Sequence, residues 1–305
     1  MKAVICTRYG SPEVLQLQEI AKPVPNSHQI LVKIVATAVN SGDVRVRSLD
    51  VNGFMRIIMR LALGISKPRK PILGTVFSGV VEKVGKNVSK FNVGDRVFGM
   101  TGFTFGTYAE YIAVHQNSNV IEMPNNATYE EAAAIVFGGQ TAIHFLDKAG
   151  IAGRPNPKVL VIGATGSVGT AAIQLAKHHH ADITAVCSAE GIGLVKSLGV
   201  TNIMRYDSAD HTRQTDKFDI IFDAVGKTRK NEWKHLLNKN GVYKSVRTGY
   251  ASETIQQLML LKELFENGKY KAVIGKTFSM DEVVEAHRYV DTGRKKGNAV
   301  LRISE

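Results

Sequence analysis

Only two cysteines, Cys6 and Cys187, occur among 305 residues, with a single tryptophan. So few thiols exclude a disulfide-stapled secreted scaffold, and both sit in runs that read as strands. A reduced, cytoplasmic protein is the expectation. No apolar run approaches the roughly 20 residues that a membrane span needs. The opening "MKAVICTRYG" has no h-region with a small-residue cleavage site, so no signal peptide is expected. Internal repeats and low-complexity tracts are also missing. Acidic residues are the other shortage: 27 Asp and Glu stand against 39 Lys and Arg, a formal charge of +12. The excess gathers in "KPRK" (Lys67 to Lys70), "KTRK" (Lys227 to Lys230) and "RKK" (Arg294 to Lys296). Such clusters can bind nucleic acid or an anionic membrane surface. These lie in loops without interleaved aromatics, which favours a solvated surface partly tuned to an anionic cofactor.

What is present is the material of a globular chain, with 44% hydrophobic and 22% charged residues and a length that suggests two domains. In the first third, "KAVIC", "ILVKIVATAV", "FSGVVEKVG", "DRVFGM" and "TYAEYIAV" are β-branched runs separated by Gly, Asn and Pro. They predict a small, mostly antiparallel barrel, interrupted by a helix in "GFMRIIMRLALGI". From about Tyr129 the texture changes. "YEEAAAIVFGGQTAIHFLDKAG" is helical, with Thr128 as N-cap and Glu131 at the capping-box offset. Strands and helices then alternate to about Val246, which implies a parallel sheet covered on both faces. A further helix in "SMDEVVEAHRYVDTG" and a strand in "NAVLRI" close the chain.

The alternating half begins with "VLVIGATGSVGTAAIQLAK", a strand, a glycine turn and a helix. Its glycines, Gly163, Gly166 and Gly169, follow G-x-x-G-x-x-G rather than the G-x-G-x-x-G dinucleotide fingerprint. The physics is the same. A strand feeding a helix through glycines presents backbone N–H groups and the positive end of the helix dipole to a pyrophosphate.

The ordered set "NSGDVRVR", "ILGTVFSGVVEKVGKNV", "FNVGDRVFGM", "TYAEYIAV", "EEAAAIVFGGQTAIHFL", "GATGSVGTAAIQLAK", "FDIIFDAVGK" and "EAHRYVDTGRKKGNAVLRI" resembles the medium-chain dehydrogenases/reductases. The resemblance is to their zinc-independent, quinone-oxidoreductase-like branch, and it covers the whole chain. It implies an α/β fold: a Rossmann doubly wound parallel sheet over 123–271, plus a GroES-like β-barrel domain over 1–122 that is completed by about 272–305. Implied cofactor contacts are the turn residues Gly163, Ala164, Thr165, Gly166, Ser167, Val168 and Gly169. Thr141 joins them in "GGQTA", with Ala224 and Val225 after "FDIIFD", and Asn298 in "KKGNAV".

Many relatives hold a catalytic zinc. The positions that would supply its ligands carry Asn40, Thr75 and Val76, none of them a good zinc donor, and a four-cysteine structural site cannot be built from two cysteines. A zinc-free enzyme is therefore expected, transferring hydride from a reduced nicotinamide to a quinone or an α,β-unsaturated carbonyl (enone). Asn40 matches the branch's active-site asparagine and can donate a hydrogen bond to a developing oxyanion. Asp43 belongs to the same motif, as a catalytic group or as a helix cap. Arg45 and Arg47 offer either a contact to the acceptor oxygen or a solvated helix face. No tyrosine occurs between Tyr9 and Tyr108, which leaves the proton donor unassigned, with water as a source. A zinc-free alcohol or aldehyde oxidoreductase stays open, as does a weakly catalytic nucleotide sensor or nucleic-acid binder.

The choice of cofactor falls at the end of the second Rossmann strand. Ser188, Lys196 and Tyr206 suit the 2′-phosphate of NADP(H), while Glu190 argues for NAD(H) unless it points to solvent. NADP(H) is favoured and NAD(H) stays open. The segment between "YKSVRTGY" and "TIQQLMLLKELFENGKY" is shorter than the usual Rossmann end, which leaves the branch's homodimer undecided.

Overall fold

The computed structural model describes residues 1–51, 53–208 and 215–304. Two compact units emerge, Met1–Val136 with the segment from Ile274 onward, and Phe137–Val273.

The first unit begins with β1 (Lys2–Cys6) and β2 (Leu15–Glu19), an antiparallel pair. There follow β3 (Gln29–Val39), α1 (Ser41–Ser48), α2 (Gly53–Leu63), β4 (Val76–Val84), β5 (Arg96–Met100), β6 (Tyr111–His115) and β7 (Val120–Glu122). Helix α3 (Tyr129–Lys148) carries the chain from one unit into the other. Its start is the predicted capping box: the Thr128 N–H donates to the Glu131 carboxylate at 2.9 Å, and the Glu131 N–H to the Thr128 hydroxyl at 3.2 Å.

The second unit holds β8 (Lys158–Ile162), α4 (Ser167–His178), β9 (Asp182–Cys187), α5 (Ile192–Ser197), β10 (Asn202–Arg205), β11 (Phe218–Asp223), α6 (Lys230–Trp233), β12 (Leu237–Ser245) and α7 (Ile255–Glu266). Its five strands are all parallel, in the order β10-β9-β8-β11-β12. This is the doubly wound arrangement, stopped at its fifth strand. Continuous apolar runs such as "VLVI" in β8 and "IIF" in β11 suit strands covered on both faces.

The chain returns to the first unit with β13 (Ile274–Ser279), α8 (Val283–Asp291) and β14 (Asn298–Arg302). A seven-stranded sheet results, ordered β13-β14-β3-β4-β5-β7, with β6 also beside β3. The eleven-residue β3 is its axis. It pairs with β6 over Gln29–Lys33, with β14 over Ala36–Val39 and with β4 over Ile30–Ala36. Ile30, Ile34, Phe77, Val97 and Leu301 pack beneath the sheet as its core.

Candidate functional site

In an open parallel sheet the ligand crevice lies beyond the strand C-termini, where strand order reverses. Here that point falls between β8 and β11. The turn Gly163–Gly169 leaves β8, and the loop Ala224–Thr228 leaves β11. Gly163 adopts φ +75°, and a Cβ there would strike the Val225 side chain. The N–H groups of Gly163 and Ala164 both donate to the Val186 carbonyl at 3.1 Å, tying the turn to β9. A Cβ on Gly169 would collide with the Gly163 carbonyl, so glycine here lets α4 approach the strand end. Val168 packs inward beside it.

Gly166 differs from its neighbours. It sits in extended backbone at the N-cap of α4, and an added Cβ would meet only the Gly163 oxygen, at 3.7 Å. Nothing in the protein itself demands glycine there. Gly166 precedes the first turn of α4, and the N–H groups at the start of a helix suit an anion. Thr165 packs against Gly191, joining the turn to the next loop.

That loop carries Ser188, half-buried at the end of β9, with Glu190 exposed one turn further on. Lys196 is exposed on α5, and Tyr206, just past β10, is 58% exposed. Two neighbours escaped sequence reasoning. The Asp207 carboxylate accepts the Ala189 N–H at 3.0 Å and pairs with Arg205 at 3.0 Å. The Ala189 N–H is the largest cause holding Asp207 below the usual carboxylate range, with Arg205 adding to it.

After β11 the organiser is Asp223, also not singled out in the sequence. Fully buried, it accepts from the N–H groups of Val225, Gly226 and Thr228 at 2.9 to 3.0 Å. The hydroxyls of Thr228, Tyr243 and Ser245 complete the shell at 3.0 to 3.2 Å. Ala224 and the exposed Val225 are thereby held at the strand end. Thr141 lies half-buried on α3, whose Gly138 lets that helix close onto the Ser167 backbone.

Asn40, Asp43 and Asn298 belong to the other unit. Asn40 is the buried N-cap of α1. Its amide lies 3.5 Å from the Thr75 hydroxyl, so the positions that would carry zinc ligands in relatives meet here as neutral hydrogen-bonding groups. Its Oδ1 is buried with no partner among the described residues. The β14–β3 register pairs Ala299 with Val39, the residues next in sequence to Asn298 and Asn40. Behind them Asp43, fully buried, accepts the Asn40 N–H at 2.9 Å and the Tyr108 hydroxyl at 3.2 Å. Burial pushes its carboxyl up to about 7, against the pull of those hydrogen bonds and of the Gly74 N–H. Tyr108, the first tyrosine after Tyr9, thus meets the motif from 65 residues away. Its ring stands edge-on to His287, which burial pulls down to about 3.

Two expectations about charge need correcting. Arg47 does not lie on a solvated face. It is 1% exposed, and one of its nitrogens donates to both Asp291 carboxylate oxygens at 2.8 and 2.9 Å. Lys295, inside the "RKK" cluster, is half-buried, donates to the Gly297 carbonyl at 2.9 Å, and is pulled down to about 8 by burial. Among the described residues no group of three His, Cys, Asp or Glu side chains is placed to hold a metal ion.

A glycine-turned, doubly wound sheet joined to an antiparallel unit defines a two-domain dinucleotide-binding architecture. Residues 26–125 match the alcohol dehydrogenase GroES-like domain and residues 167–289 the zinc-binding dehydrogenase domain. The 2-methylene-furan-3-one reductase of Solanum lycopersicum is 34% identical, over 99% of this chain and 79% of that protein. The chloroplastic NADPH-dependent alkenal/one oxidoreductase of Arabidopsis thaliana is 28% identical with the same coverage. The structure of the quinone oxidoreductase from Coxiella burnetii superposes with a TM-score of 0.88 at 26% identity, over 100% of this chain and 99% of that one. The chain belongs to the medium-chain dehydrogenase/reductase superfamily, in its quinone-oxidoreductase-like branch.

Proposed function

We propose that the protein is a zinc-independent, NADP(H)-dependent reductase of quinones and α,β-unsaturated carbonyls. The observation that carries this reading is the buried amide of Asn40 beside the Thr75 hydroxyl, where relatives that use zinc hold its ligands. Quinone and enone acceptors spread the incoming negative charge over a conjugated system, so neutral donors suffice where an isolated carbonyl would need a Lewis acid. Names of the relatives, an enone reductase and an NADPH-dependent alkenal/one oxidoreductase, support the same acceptor class.

In this reading the glycine turn and the first turn of α4 hold the pyrophosphate, and Ser188 and Tyr206 receive the 2′-phosphate. Glu190 is exposed on the same loop and is read as leaving that phosphate unopposed. Thr141, Ala224, Val225 and Asn298 serve the nicotinamide end. A reduced nicotinamide held there would supply the hydride for the acceptor's electrophilic carbon, or for the quinone. Asn40 hydrogen-bonds the oxygen that gathers charge, Asp43 acts through Asn40 as a positioning residue, and water returns the proton. A reduced, cytoplasmic setting is proposed as well. It is supported by two buried free cysteines, of which Cys6 is pushed up to about 11 by burial.

The test is loss of absorbance at 340 nm when NADPH meets a simple benzoquinone or a short enone, with and without a metal chelator. Turnover unaffected by the chelator is expected, and Asn40→Ala should lower kcat by about 10²-fold or more with NADPH binding unchanged. Flat absorbance across a broad acceptor panel would overturn the reading.

A further inference from the structure

Helix α2 exposes the face that a soluble helix normally buries. Met59 is buried and Leu63 half-buried, so these two turn toward the body of the unit. Phe54, Ile57, Ile58 and Leu61, at i, i+3, i+4 and i+7, form a single stripe on the opposite side. Their exposures are 75, 57, 41 and 61%. Ile65, 68% exposed, continues the stripe beyond the helix end.

The surroundings of that stripe are basic. Between Val51 and Val81 the chain has five cations, Arg56, Arg60, Lys67, Arg69 and Lys70, and no acidic residue. The segment is knit into one body. The Arg60 guanidinium donates to the Ile65 carbonyl at 2.8 Å, the Tyr9 hydroxyl to the Gly64 carbonyl at 2.8 Å, and the Arg69 N–H to the Leu63 carbonyl at 2.7 Å. Apolar side chains and cations are therefore presented together on a braced element. Among the described residues no helix is long and apolar enough to cross a membrane, so α2 can lie on a bilayer but not through it.

We propose that α2 and the Lys67–Lys70 loop dock the protein on an anionic phospholipid surface. Apolar side chains facing outward, followed along the chain by the exposed Lys67, Arg69 and Lys70 and with no carboxylate among them, match the boundary between acyl chains and acidic headgroups. An acidic protein partner would meet the cations but would leave Phe54, Ile57 and Leu61 facing water. A second copy of the chain would cover the stripe but set like charges against each other. The proposal stands apart from the reductase reading, and its test reads no turnover.

The full-length protein is sedimented with phosphatidylcholine vesicles, either pure or containing phosphatidylserine, at low and high salt. Binding to the phosphatidylserine vesicles alone is expected, weakened by salt. Lys67→Gln with Lys70→Gln should reduce partitioning by about fivefold per charge removed. Ile57→Ser with Leu61→Ser should reduce it by about tenfold or more, since both side chains would leave the acyl boundary. Both pairs are solvent-exposed, and unchanged circular dichroism will show that the variants fold. Wild-type protein left in the supernatant at low salt overturns the proposal. So does binding that survives the serine substitutions, which would be surface electrostatics alone. Light scattering that shows a dimer split by the serine substitutions, without vesicle binding, assigns the stripe to a second copy and also overturns it.

Discussion

Replacing Asp43 with Asn should change how stability responds to pH, because two fully buried groups in the first unit titrate in opposite senses. Burial raises Asp43 from an ordinary 3.8 to about 7. Burial first, and Arg47 second, lower His287 from 6.5 to about 3. A raised carboxyl favours the folded state fully below pH 3.8, and that contribution is lost as pH climbs toward 7. A lowered imidazole contributes fully above 6.5, and its contribution is lost as pH falls toward 3. At about 1.4 kcal/mol per unit, the Asp43 swing is about 4 kcal/mol and the His287 swing about 5 kcal/mol. Over the shared window the slopes oppose and nearly cancel in the wild type. Asp43→Asn keeps an acceptor for the Asn40 N–H and removes one slope. The unfolding free energy of the variant, minus that of the wild type, should therefore grow by about 3 kcal/mol from pH 4 to pH 7. His287→Leu should give the reverse trend, its advantage growing as pH falls. Urea titrations followed by far-ultraviolet circular dichroism read both. Parallel stability curves for wild type and Asp43→Asn would refute the assignment of Asp43 as a buried, proton-holding carboxyl.

Three other substitutions separate the roles described above. Gly166→Ala should leave thermal unfolding unchanged yet weaken NADPH binding about tenfold or more in titration calorimetry, because its methyl group occupies phosphate space rather than protein space; unchanged affinity would remove the phosphate from that turn. Asp291→Ala strands the buried Arg47 guanidinium and should cost about 3 to 5 kcal/mol in urea unfolding, whereas a loss below about 1 kcal/mol would mean that Arg47 finds water. Glu190→Arg should raise the NADPH-over-NADH preference about three- to tenfold at low salt and less at high salt. An unchanged ratio would place the 2′-phosphate away from the Ser188 loop.

What could be read in advance was what local rules govern. The strands of the parallel unit announced themselves as continuous apolar runs, α3 by its capping box, and the strand–turn–helix of β8 and α4 by its glycines. The hidden features depend on residues far apart in sequence. Arg47 looked solvated because its counter-charge, Asp291, lies 244 residues on. Tyr108 reaches Asp43 across 65 residues, beyond the stretch in which a partner for the motif was sought. Asp223 gives no local sign of its role, since two of its six hydrogen-bond donors arrive with β12. The stripe on α2 had the period of a core-facing helix, and only burial reveals that its broad apolar face turns outward.

The shell around Asp223 also sets an order of assembly. The glycine turn needs only β8, α4 and the neighbouring β9, all complete by Cys187. The loop that faces it needs the hydroxyls of Tyr243 and Ser245, which enter only when the edge strand of the sheet docks. Until that strand docks, the carboxylate of Asp223 holds only the donors of its own loop, so the second wall of the crevice is braced last.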